Sequence, residues 1–152
     1  MATRASIKFS DKDGNFIANV YHHYDGYPEY LGKTLLELTS GEVVNGLTLG
    51  KDQVLGETFN GTSCLFASLI ARLKQVPGQV YLHTEGDFGQ CHEDYLYEVI
   101  ENTEGNGVGV FVTNIEGEWE LVKDVLDRVS ENLADWKFVR IFTYKLKRWK
   151  CH

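Results

Sequence analysis

Hairpins, rather than strand–helix–strand alternation, dominate this chain. Residues 5–9 and 16–22 alternate apolar and polar positions, with Ile7 and Phe9 in the first run and Phe16, Ala18 and Val20 in the second. Between them Asp11, Lys12, Asp13 and Gly14 offer an Asp-Gly pair suited to a turn that needs positive φ. A second hairpin is expected from 95–101 and 108–113, joined across 102–107. Residues 80–83 add a strand, and 136–146 close the chain as a long one, with Trp136, Phe138, Phe142 and Tyr144 on one face. Such a sheet needs cover for its apolar side.

Three helical stretches supply that cover. Leu65, Phe66, Leu69, Ile70 and Leu73 form one stripe over 62–75, with Asn60 or Thr62 to cap its start and Pro77-Gly78 to end it. Leu121, Val122, Val125, Leu126, Val129 and Leu133 form another over 121–133. A shorter helix over 31–38 carries Leu31, Leu35 and Leu38 and stops at Gly41. Residues 40–61, punctuated by five glycines, read as loop with a short strand at 43–49. Residues 118–120 fit either a strand end or a helix start. The expected fold is α+β: one domain, 1–152, a mostly antiparallel sheet with about three helices on one face.

Composition agrees. At 152 residues and 43% hydrophobic, the chain can bury a core without disulfide or metal. No apolar run approaches the ~20 residues a membrane helix requires. The first residues are charged and alternating rather than apolar, and three cysteines at unrelated spacings make no disulfide framework. Both features place the chain in a reducing cytoplasm. The net charge of −7 is uneven: Lys137, Arg140, Lys145, Lys147, Arg148 and Lys150 crowd the last seventeen residues, leaving nine bases against 22 acids elsewhere, or −13. An acidic body argues against nucleic acid as partner, although the basic, aromatic tail has the composition of a single-strand platform. It suits instead an inhibitor that occupies a basic cleft of a host protein, or a homo-oligomer in which the tail docks on a neighbour.

The densest constellation is Tyr21, His22, His23, Tyr24, Asp25, Gly26, Tyr27, Pro28, Glu29 and Tyr30, at a strand's end. As a recognition loop, its tyrosines give flat faces for a base or ring, and Asp25 and a histidine can meet hydroxyls or amines. As a tight turn, Asp25-Gly26 supplies special dihedrals and the tyrosines pack at the core edge. The binding shell would be Tyr21, His23, Tyr24, Asp25, Tyr27 and Tyr30, with Arg4 as the nearest grip for a phosphate. Successive strand residues face opposite ways, so only one of His22 and His23 can join Asp25, and no metal or other cofactor is expected.

Cys64, in the first turn of the 62–75 helix, is the candidate nucleophile, with His83 as its base; a simply buried cysteine is the competing reading. The run Gly105, Gly107 and Gly109 enters a strand rather than opening a helix, so it marks a turn and no dinucleotide site.

The opening Met1-Ala-Thr-Arg4 and the run Tyr21-x-His23-x-Asp25-Gly26-Tyr27-Pro28-Glu29-Tyr30-x-Gly32 resemble a group of short phage and prophage proteins. The resemblance covers about the first 35 residues. It implies a phage accessory protein with a functional loop, and no particular reaction. The preferred reading is therefore a non-catalytic protein that binds and sequesters a small, polar, nucleotide-like host signal, as counter-defence.

Overall fold

A computed structural model describes residues 2–44, 58–102, 107–114 and 116–134. In chain order they form β1 (Ala5–Ser10), β2 (Phe16–His22), a π-helical turn (Pro28–Gly32), α1 (Lys33–Leu38), β3 (Glu42–Val44), β4 (Thr58–Asn60), α2 (Thr62–Leu73) and β5 (Val80–His83). A 3₁₀ turn (Glu85–Asp87), β6 (Tyr95–Glu101), β7 (Val108–Asn114), β8 (Glu120–Leu121) and α3 (Val122–Ala134) follow. The fold is α+β, and no helix among the described residues is long and apolar enough to cross a membrane.

Six strands make one sheet in the order β5-β2-β1-β6-β7-β8. Four of its pairings are antiparallel, but β1 and β6 run parallel, Ala5 facing Tyr95 and Ser10 facing Ile100. The sheet is thus mixed, because β6 enters beside β1 from a distant part of the chain and no hairpin dictates its direction. A second, small sheet pairs β3 with β4 in parallel.

Strand alternation divides the large sheet into two faces. Ile7, Phe9, Val20, Tyr97, Val99, Val110 and Val112 share one buried cluster with Leu35 of α1, Leu65, Phe66 and Leu69 of α2, and Val122 of α3. Phe9 and Phe66 meet at 4.9 Å between ring centres. Burying side chains of this size contributes about 1.5–3 kcal/mol each. Among the described residues the opposite face carries no α-helix. There Ser6, Lys8 and Ser10 of β1 are buried, Ser6 against Glu93 and Lys8 over Phe88 of the segment that leads from β5 to β6, and Ser10 against Glu98 of β6.

Local details depart from expectation at a few points. Neither Asn60 nor Thr62 caps α2: the N-cap is Gly61, at φ +79°, whose N–H donates to the Val44 carbonyl at 2.8 Å. The chain must leave β4 and enter α2 at once, and glycine alone takes that dihedral cheaply. The helix ends at Leu73, before Pro77-Gly78. Residues 120–121 belong to a strand. The expected strand at 43–49 is seen only as β3, its remainder lying outside the described residues, as do 136–146 and the basic tail.

Candidate functional site

Parity on β2 decides the fate of the aromatic run. Val20 and His22 face the helices, and Tyr21 faces the other way. His23, one residue past the strand, returns to the side of Tyr21, and the Tyr21 hydroxyl meets its Nδ1 at 3.1 Å. His22 is buried, its Nδ1 without a hydrogen-bond partner among the described residues. Burial holds its pKa below the ordinary 6.5.

The β2–β5 register sets Tyr21 opposite Tyr81 and Asn19 opposite His83, so β5 adds two rings to the same face. Tyr21 and His83 stack at 5.3 Å with planes 9° apart, and Tyr81 and His23 lie 6.2 and 5.8 Å from Tyr21. Tyr24 meets His23 edge-on at 4.5 Å. Tyr24 and Tyr81 are 47% and 50% exposed, so the cluster presents phenol rings to solvent on both sides of a half-buried centre.

Beneath the rings the β5–β6 segment is held by a buried carboxylate. Glu93 accepts hydrogen bonds from Ser6 Oγ at 2.6 Å, from the Cys91 N–H at 2.8 Å and from the Gly89 N–H at 3.2 Å. Thr84 and Asp87 cap the 3₁₀ turn reciprocally, and those bonds hold Asp87 below the usual carboxylate range. Cys91 Sγ thereby lies 3.6 Å from His83 Nδ1 and 3.7 Å from the Asp87 carbonyl. Burial first, then the charges of Glu93 and Asp87, push its thiol pKa up. Burial also raises Tyr21, against the opposing pull of the Arg4 cation.

Arg4 is fixed by its backbone. Its N–H donates to Asp94 Oδ2 at 2.8 Å, and its carbonyl accepts from the N–H groups of Asp94 and Tyr95. Its side-chain Nε is buried and finds no acceptor among the described residues.

The expected shell divides in two. Tyr21, His23 and Tyr24 gather on the helix-free face, whereas Tyr27 and Tyr30 contact each other at 6.1 Å at the start of the π-helical turn. Asp25 is exposed, at φ +54°, and turns the chain between the two groups. Gly26 then presses on β1: a Cβ there would lie 2.7 Å from Ala5 Cβ. Its N–H donates to the Thr3 carbonyl and its carbonyl accepts from the buried Tyr97 hydroxyl at 2.8 Å. The turn reading therefore holds at Asp25 and Gly26, while Tyr21, His23 and Tyr24 gather as a ring cluster away from that turn.

Cys64 and His83 are not brought together. Cys64 is exposed on α2, which packs on the helix-covered face, and His83 lies on the other. The cysteine at His83 is Cys91. Sequence reasoning missed Tyr81, Cys91 and Glu93. Tyr81-x-His83 repeats the spacing of Tyr21-x-His23, and that matched alternation was the available signal. No three His, Cys, Asp or Glu side chains among the described residues gather as a metal site. Comparison with protein-family models, with curated proteins and with solved structures finds no match to this chain.

Proposed function

We propose that the chain is a non-catalytic binding protein that takes up a small, planar, polar molecule of nucleotide type on its helix-free face. As a phage accessory protein it would thereby withdraw a host signal. The observation that carries this reading is the ring cluster itself: Tyr24 and Tyr81 stand exposed beside the stacked Tyr21–His83 pair. A base stacked on such rings gains about 1–3 kcal/mol per contact. The imidazoles of His23 and His83, both beside Tyr21, offer donors and acceptors to the same ligand. Arg4, whose charge already acts on Tyr21, supplies the cation for a phosphate.

Titration calorimetry with a panel of linear and cyclic purine and pyrimidine nucleotides tests the reading. At least one should bind, and Tyr81→Ala should weaken it by about 5-fold to 150-fold, the equivalent of one lost stack. Wild-type affinity in both Tyr81→Ala and Tyr24→Ala would overturn the assignment.

The Cys91–His83 contact favours a second reading, a hydrolase with Cys91 as nucleophile. The raised thiol pKa argues against it, since the thiolate is the reactive form. Slow alkylation of Cys91 by iodoacetamide at neutral pH supports binding; fast alkylation supports the hydrolase.

A further inference from the structure

Strand β5 is the outermost strand of the large sheet, and no strand among the described residues pairs with its outer edge. Its main-chain directions follow from parity. The His23 N–H donates to the Gln79 carbonyl at 2.9 Å, so that carbonyl faces β2. Across the same trans peptide the Val80 N–H points the other way. Directions recur every second residue along a strand. Tyr81 and His83 therefore turn their polar groups toward β2, and Val80 and Leu82 aim theirs outward.

The same edge lacks the usual guards. Residues 75–84 contain no Asp, Glu, Lys or Arg, and Leu82 is 74% exposed. Edge strands are normally blunted by charge or by a proline within the strand. On a chain of net charge −7, most approaches of a second copy oppose like charges. Here two copies can meet without doing so.

We propose that two copies of the chain pair through β5, antiparallel, across a two-fold axis at Tyr81. A two-fold axis normal to the sheet keeps every residue on its own face. Centred on Tyr81, it sets Val80 of one copy opposite Leu82 of the other, and the reverse. These are the residues with outward main-chain groups, so each facing pair exchanges both of its hydrogen bonds. Their side chains meet on the helix-covered face. Tyr81 meets its counterpart on the helix-free face, in a non-hydrogen-bonded position where Cα atoms lie about 4.5 Å apart. The two ring clusters then form one surface, with a Tyr81 from each copy at its centre. The pairing stands whatever that surface binds, since it is read by mass and by crosslinking.

Sedimentation equilibrium of the full chain, with and without Leu82→Lys, tests it. The wild type should sediment at twice the chain mass and Leu82→Lys at half that value, with unchanged circular dichroism. In a background with Cys64, Cys91 and Cys151 replaced by Ser, Tyr81→Cys should oxidise to a covalent dimer and Leu82→Cys should not, because only position 81 faces itself at disulfide distance. Should Leu82→Lys fail to fold, hydrogen exchange of the wild type decides: the Val80 and Leu82 amides should be protected as well as those of Tyr81 and His83. A monomeric wild type, including one whose β5 takes an extended peptide instead, overturns the proposal. So does a dimer that a folded Leu82→Lys leaves intact, crosslinking at 82 as fast as at 81, or rapid exchange at Val80 and Leu82.

Discussion

Adjacent histidines on β2 are driven to different chemistry by which way the strand turns them. His23 keeps its ring beside Tyr21 and solvent, while His22 is buried among apolar neighbours. Its lowered pKa has a defined consequence for stability. The unfolded chain binds a proton near the ordinary value of 6.5 and the folded chain only below it. The contribution of neutral His22 is therefore complete above that value and is lost as pH falls beneath it. Urea midpoints should drop between about pH 7.5 and pH 5.5, and less in His22→Gln; equal drops would contradict the burial argument. Glu98 acts in the opposite sense. Burial raises its pKa despite the Ser10 hydrogen bond and the nearby Lys8 cation, and its Oε2 finds no partner among the described residues. Its ionisation costs stability as pH rises from the unfolded value through the raised folded one. Glu98→Gln, which can still accept from Ser10, should raise the urea midpoint at neutral pH, and a lowered midpoint would show that the carboxylate is favoured there.

At the scale of elements, the junction between the tyrosine run and β1 shows how the site is positioned. Gly26 has no room for a side chain, with Ala5 Cβ and the Thr3 and Arg4 backbone within 3.0 Å of a built Cβ. Gly26→Ala should cost about 1–3 kcal/mol by overpacking, and Tyr97→Phe about 1 kcal/mol through the lost bond to the Gly26 carbonyl. Chemical denaturation measures both; values near zero would mean that the run is loosely held. Strands β1, β2, β6 and β7 and helices α2 and α3 were legible because their apolar spacing is periodic over six or more residues. Strand β4 has three residues, too few to show alternation, and the cap of α2 rests on a glycine dihedral that composition does not reveal. The tyrosine run was legible as a ring cluster but not in its membership. Tyr27 and Tyr30 are near Tyr21 in sequence, yet Tyr81 and His83 join it through the β2–β5 register.

Across the described residues, one face of the large sheet carries the packing and the other bears the ring cluster. Among the described residues the three α-helices converge on one buried cluster, and the opposite face holds a short segment anchored by Glu93 and the exposed rings of Tyr24 and Tyr81. The parallel β1–β6 pairing that creates this arrangement joins residues about ninety positions apart, a contact that no local pattern encodes. Glu93→Ala would remove the acceptor of three hydrogen bonds and release the segment beneath the rings. Ligand affinity should then fall together with hydrogen-exchange protection of the Gly89 and Cys91 amides, whereas unchanged protection would detach the carboxylate from the site. The most direct test is a titration of isotopically labelled chain with the nucleotide panel, followed by nuclear magnetic resonance. Saturable shifts confined to Arg4, Tyr21, His23, Tyr24, Tyr81 and His83 are predicted; an unchanged spectrum across the panel, or shifts confined to the helix-covered face, would contradict the account.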